Sequence, residues 1–123
     1  MKTIGIKDIT RLTDKAKRVI PVKVVEYSEK MGIGYGRITI RHQKTRWGSC
    51  STKGNLNFNC LLMLTPEYVQ DYVIVHELAH RKVMNHSSDF WHVVEGVMPD
   101  YKEAKKWLKE NGVTIIQRMD LCE

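Results

Sequence analysis

An α+β fold is the class this sequence predicts, and three observations carry the prediction. Apolar residues recur at helical spacing in the first third, alternate with polar ones in the middle, and return to helical spacing thereafter. The succession reads as helix, small antiparallel sheet, helices. With 123 residues the chain has the size of one ordinary domain, so a single unit over residues 1–123 is expected. Residues 1–13 show no clear pattern and are expected to be loosely held.

The first helix is expected from Asp14, where Ala16, Ile20, Val24, Tyr27 and Met31 follow helical spacing. Pro21 must open a helical segment at its first turn or kink one, and Gly32 and Gly34 end it. In Arg37-Ile38-Thr39-Ile40-Arg41 the period changes to two, the sign of a half-buried strand. Arg46–Ser51 and Asn55–Cys60 flank the turn-forming Thr52-Lys53-Gly54, which predicts a hairpin. Its second arm puts Leu56, Phe58 and Cys60 on one face and Asn55, Asn57 and Asn59 on the other, so one side is expected to be wet.

Thr65-Pro66-Glu67 is a helix start, with a capping hydroxyl, a proline at the first helical position and a carboxylate near the positive end of the dipole. The helix is predicted to run from Pro66 to about Met84. Its apolar residues point in nearly every direction, which marks it as mostly buried. Ser87-Ser88-Asp89 caps a second helix to about Met98. Asp100 and Glu103 form a capping-box-like pair before a third, with Asn111-Gly112 as its stop.

Composition narrows the function. Hydrophobic residues make up 42% and charged residues 28%, and no apolar run approaches the roughly 18 residues needed to cross a bilayer. The first residues, Met-Lys-Thr-Ile-Gly-Ile-Lys-Asp, are broken by charge too early for a secretion signal, so a cytoplasmic location is expected. Three widely spaced cysteines, Cys50, Cys60 and Cys122, lack paired metal or redox spacing and read as reduced thiols. The net charge of +6 would attract polyanions if it were concentrated on one face.

The chemistry is carried by His76-Glu77-Leu78-Ala79-His80. Residues four apart stand one turn above each other on a helix, so both imidazoles can reach one metal ion, while Glu77 lies about 100° round from His76. That arrangement suits Zn2+ and an adjacent carboxylate. Glu77 would take a proton from water activated by the ion and deliver it to the leaving amine. Against a bland surface helix stand Val73, Val75, Ala79 and Val83, among which an unpaired histidine and carboxylate would be costly to bury.

A catalytic zinc takes three protein ligands and keeps one position open. Downstream candidates for the third are His86, Asp89, His92 and Glu95. His86 has the separation of the longer H-E-x-x-H-x-x-G-x-x-H class, but Val83 stands where that class has its glycine. Asn85 tolerates left-handed backbone and could make the turn instead. His92 and Glu95 fall on the following helix, where other zinc peptidases place a ligand.

Several motifs occur in order: Arg46-Trp47-Gly48-Ser49-Cys50, then His76-Glu77-Leu78-Ala79-His80, then Asn85-His86-Ser87 with Phe90-Trp91, and finally Pro99-Asp100-Tyr101 with Trp107-Leu108. Together they resemble the YgjP-like metallopeptidase domain, related to the SprT-like proteins, over roughly Arg37 to Gly112. The resemblance implies a minimal zincin-like fold, a zinc ion, peptide or protein substrates and a third ligand at the histidine of Asn-His-Ser, here His86. Arg81-Lys82 departs from the family, whose members often carry apolar residues there, and relatives often have a longer N-terminal part.

Two features remain outside that core. Trp47 and Gly48 read as packing and close backbone approach at a strand, whereas Arg46, with Asn57, is a candidate substrate contact for a carbonyl or carboxylate. Lys102, Lys105, Lys106 and Lys109 form a basic stripe that is ordinarily a solvated face; a nucleic-acid contact is the analogy with SprT-like proteases, without aromatic interleaving to support it. The rival to a zinc-dependent peptidase is a zinc-stabilised or nucleic-acid-associated module without catalysis. Glu77 discriminates, since a structural site needs no carboxylate beside the metal and is normally closed by a fourth protein ligand.

Overall fold

The structure is a computed structural model that describes residues 5–120, with side chains described to residue 115. Cys122 lies outside the described residues. The elements run α1 (Ile6–Met31), β1 (Ile38–Arg41), β2 (Gly48–Cys50), β3 (Leu56–Asn59), a 3-10 turn (Cys60–Leu64), α2 (Glu67–Ala79), α3 (Ser88–Val97) and α4 (Tyr101–Asp120). The class is α+β, as the spacing predicts.

Helix α1 begins well before Asp14. Leu12, Ala16, Ile20 and Val24, each four residues from the next, form its buried stripe. Gly5 donates its backbone N–H to Asp8 Oδ2 at 3.1 Å, which satisfies a donor at the helix start. Pro21 sits inside the helix. Gly32, with φ of 65°, closes the helix in the left-handed conformation that a glycine adopts freely.

The sheet has the order β1-β3-β2 and is mixed. β2 pairs antiparallel to β3 as the predicted hairpin, with Ser49 opposite Asn57. β1, however, pairs parallel to β3, with Ile38 opposite Leu56 and Arg41 opposite Asn59, so the expected antiparallel sheet is corrected. The reason is that residues 42–47 carry the chain across the end of β3 before the hairpin returns it to the centre. Asn59 holds that crossover, its Nδ2 donating to the carbonyls of Gln43 at 2.8 Å and Arg46 at 2.9 Å. Its Oδ1 accepts from Leu61 N at 3.0 Å, and the residue is only 1% exposed. Asn59 therefore departs from the expected wet side, whereas Asn55 and Asn57 are half-exposed. Asn57 Oδ1 likewise accepts from Arg41 Nε at 3.2 Å, and Asn55 Oδ1 accepts from Arg37 N at 2.8 Å.

Helix α2 runs through the middle of the molecule, touching α1, α3, α4 and β2. Val69, Tyr72, Val73, Ile74, Val75, Glu77, Leu78 and Ala79 are buried, in keeping with its all-round apolar pattern. Thr65 does not cap it as the sequence suggests. Its hydroxyl donates back to Leu62 O at 2.7 Å and closes the 3-10 turn. The helix also stops at Ala79, short of the expected Met84, as Arg81 N turns to Leu78 O and Lys82 N and Val83 N both turn to Ala79 O, each at 3.0 Å. Helix α4, by contrast, continues past Asn111-Gly112: Asn111 Nδ2 donates to Trp107 O one turn earlier at 3.0 Å, and Gly112 is buried within the helix. Among the described residues no helix is long and apolar enough to cross a membrane.

Candidate metal centre

His76 and His80 stand one turn apart at the C-terminal end of α2, where the spacing predicts them. The early end of that helix is what matters for His86. A chain that stayed helical to Met84 would carry His86 onward along the axis, whereas the tight turn after Ala79 brings it back beside the other two. The ring centroids of His76, His80 and His86 are 4.9, 5.1 and 4.7 Å apart pairwise. One ligand atom of each lies within 4.8 Å of those of the other two. Asp89, His92 and Glu95 are exposed on α3 and are not part of this group.

Each ring is oriented by a partner. His80, 8% exposed, meets Val83 O through Nδ1 at 3.1 Å. A carbonyl only accepts, so Nδ1 carries the proton and Nε2 keeps the lone pair. His76 Nδ1 lies 3.1 Å from Glu77 Oε2, and a carboxylate in that contact likewise leaves the lone pair on Nε2. Phe90, fully buried at the start of α3, forms a floor under all three, its ring 5.0, 4.4 and 5.0 Å from His76, His80 and His86. Trp91 stacks on His86 at 6.1 Å and on Tyr101 at 5.2 Å.

The electrostatics favour neutral imidazole at His86. Burial lowers its pKa first, and the neighbouring His76 and His80 lower it further, against an opposing pull from Glu77. Lys105 adds to the lowering; its Nζ sits over the Trp91 ring at 4.3 Å, so this member of the basic stripe is engaged in packing. Lys106 reaches Glu110 at 3.8 Å on the same helix. Burial raises the Cys50 thiol, with the Glu77 carboxylate pushing the same way. Burial also raises the Tyr72 phenol, followed by the charges of Glu77 and Tyr101, which keeps it protonated. Cys50 and Cys60 are free thiols.

Two adjoining hollows meet at Glu77. An open cleft of about 370 Å³ is bordered by the three histidines and by β2, with Arg46 and Cys50 at its rim. A second cavity of about 230 Å³ lies between Trp47, Tyr72, Val73 and Leu108. Arg46, Gly48, His76 and Glu77 border both. Asn57, the other candidate substrate contact, stands on the central strand β3 and borders neither. Arg81, the departure noted after His80, borders neither hollow, its Nε donating to Gly34 O at 3.1 Å.

Phe90, Tyr72 and Leu108 border the site without a site role read from the sequence, although Phe90 and Leu108 belong to the motifs that carry the family resemblance. A faint signal existed for Tyr72, which precedes His76 by four residues on α2, the spacing of neighbours on a helix face.

Residues 6–111 match the family described as YgjP-like, metallopeptidase domain. Among solved structures, the metallopeptidase zymogen abylysin of Pyrococcus abyssi is similar with a TM-score of 0.67 and 26% identity, over 75% of this chain and 94% of that one. The metallopeptidase zymogen jannalysin of Methanocaldococcus jannaschii has the same fold, with a TM-score of 0.65 and 23% identity over 75% of this chain and 95% of that one. No curated protein matches the sequence.

Proposed function

From the premise that the chain belongs to the YgjP-like metallopeptidase family, we propose that it is a zinc peptidase in which His76, His80 and His86 hold the ion and Glu77 is the general base. The observation that carries this reading is the convergence of the three imidazoles beside a buried carboxylate, at the edge of an open cleft.

The donor set suits the ion. Nitrogens each about 2.1 Å from zinc can be no more than about 4.2 Å apart. Ligand atoms within 4.8 Å of one another need only a small ring rotation to meet that limit. Neutral imidazoles suit zinc, and among the described residues no fourth histidine, cysteine or carboxylate joins the group, which is the ligand count of a catalytic site. When bound, the ion supplies a Lewis acid for the scissile carbonyl and brings the pKa of water near 7.

The chain's own residues do the rest. Glu77, buried by α2 and β2 yet facing the cleft, accepts the proton of the attacking water and returns it to the leaving amine. The edge of β2 not paired to β3 offers main-chain hydrogen bonds to an extended peptide, which gives affinity with little dependence on sequence. Arg46, whose guanidinium makes no ion pair among the described residues, stands at the rim to receive a substrate carbonyl or carboxylate.

The test is elemental analysis of the purified protein together with a peptide-library cleavage assay. Stoichiometric zinc and hydrolysis abolished by chelation and restored by zinc are the expected result. Metal-independent cleavage, or no cleavage by zinc-loaded protein, would remove the proposal.

A further inference from the structure

We propose that the mouth of the cleft, flanked by Arg46 on one side and Lys105 and Lys109 on the other, selects peptide segments that carry carboxylates within a few residues of the scissile bond. The proposal names the substrate class of the peptidase site described above and rests on that reading only for the cleavage that follows binding.

The surface around the site carries one sign of charge. Arg46 is exposed and borders both hollows. Glu77, the carboxylate that borders them, is only 5% exposed, so an arriving chain meets the cation first.

The facing wall is α4. Leu108 borders the inner hollow, and Trp47, next to Arg46 in the chain, lies against the helix at Gly112, where an added Cβ would come within 3.2 Å of the indole Nε1. Gly112 is therefore the seat of the Trp47 ring. Lys105 and Lys109 stand one turn apart, about 60° and 100° round the helix from Leu108, whereas Glu103 and Glu110 lie about 140° and 160° round. Both lysines are exposed, and the helix thus turns its cations, not its carboxylates, toward the hollow. Lys105 Nζ rests over the Trp91 ring at 4.3 Å, and Trp91 stacks on His86, which ties this ammonium to the metal side of the cleft.

Arg46, Lys105 and Lys109 make no ion pair among the described residues. Unpaired cations grouped at a concave mouth with apolar walls focus their field there and raise the local concentration of an anionic ligand. Trp47, Val73 and Leu108 supply those walls.

The geometry favours a peptide over a nucleic acid. Single-stranded nucleic acid is held on aromatic faces where bases stack. Here Trp47 is seated on α4, and Trp91 is covered by Tyr101 and Lys105. A carboxylate needs only a guanidinium or ammonium beside the path of an extended backbone, and the unpaired edge of β2 offers that path.

The test uses the full chain, with and without zinc, and dye-labelled peptides of one length that carry Glu, Gln or Lys at the same positions. Fluorescence anisotropy reads binding. At low salt the Glu peptide should bind at least about tenfold more tightly than the Gln peptide, and the Lys peptide more weakly than both. The difference should collapse at 1 M salt, where the Debye length is about 3 Å. Binding without zinc separates the side chains from capture of a carboxylate by the ion. Arg46→Gln, Lys105→Gln and Lys109→Gln together should remove the preference. Lys7→Gln, Lys15→Gln and Lys17→Gln together change the net charge equally on α1, which borders neither hollow, and should keep it. In a peptide library the zinc-loaded chain should cleave beside Asp and Glu more often than beside Lys and Arg. Equal affinities for the Glu and Gln peptides, a preference seen only with zinc, and a preference lost equally in both triple variants would each overturn the proposal. So would cleavage enriched beside Lys and Arg, or an oligonucleotide of equal charge that binds as tightly as the Glu peptide. Binding is read without turnover, so an absence of cleavage would remove the peptidase reading and leave charge selection to be decided by the titration.

Discussion

Gly48 on β2 lies directly against Glu77 on α2: a Cβ added to the glycine would sit 3.1 Å from Glu77 Cγ, 3.1 Å from Asn57 O and 3.2 Å from Val73 Cγ1. The strand that borders the cleft can approach the carboxylate this closely only because it has no side chain there.

Gly48→Ala should therefore displace Glu77 and leave the three histidines alone. A shift of about 1 Å in a catalytic group can cost about a hundredfold. We expect kcat to fall roughly ten- to a hundredfold, with zinc content unchanged and KM little altered. Steady-state kinetics and zinc stoichiometry on one preparation check this, and unaltered kcat would show that Glu77 tolerates the displacement.

Glu77→Gln keeps the size of the side chain and removes its basicity. Positioned bases contribute on the order of a hundred- to ten-thousand-fold, so hydrolysis should fall by that factor while zinc stays bound. The contact with His76 Nδ1 gives a second reading to be separated here. Loss of zinc in the variant would make Glu77 a support for the ligand, and full activity would exclude it as the base.

His86→Ala should weaken zinc binding by more than roughly a hundredfold, beyond the usual loss from an outer-shell partner. His92→Ala and Glu95→Ala should leave it within error, since both residues are exposed on α3 outside the histidine group. Competition with a chromophoric chelator measures all three. Metal loss with Glu95→Ala alone would reassign the third ligand.

Asn59→Ala removes two donors and one acceptor from a residue that is 1% exposed, leaving the carbonyls of Gln43 and Arg46 and the N–H of Leu61 without that partner. A destabilisation of roughly 2–3 kcal/mol is expected. Denaturant unfolding reads it, and a change below about 0.5 kcal/mol, the range of an ordinary surface substitution, would mean that water replaces the clasp.

Lys23 on α1 reaches Asp71 at 2.7 Å and Glu67 at 2.9 Å on α2. Burial pulls the lysine's pKa down, but the two carboxylates outweigh it and the net shift is above 10.5. The Lys23 hydrogen bond and charge hold Glu67 below 4.5. A raised lysine stabilises fully below its unfolded pKa and loses that contribution as pH rises through the folded value; the depressed glutamate contributes above its unfolded pKa and loses it as pH falls. The melting-temperature difference between wild type and Lys23→Met should therefore be flat between about pH 5 and 10 and shrink on both sides. A difference independent of pH would assign the effect to packing of the lysine stem.

Local patterns in the chain determined the α+β class, the buried central helix and the pairing of His76 with His80 around Glu77. All depend on spacing along one element: a period of 3.6 or 2, or the i, i+4 relation that puts two rings on one helix face. The longer pattern misled where tertiary contacts intervene. Val83 continues the apolar period of α2, yet it belongs to the tight turn that returns His86 to the site; Asn111-Gly112 reads as a stop, yet Gly112 is the seat of the Trp47 ring. The parallel pairing of β1, the burial of Asn59, the Phe90 floor and the approach of Gly48 to Glu77 join residues distant in sequence. Periodicity reports which side of an element is apolar, whereas only the packed molecule decides which neighbour meets that side and at what distance.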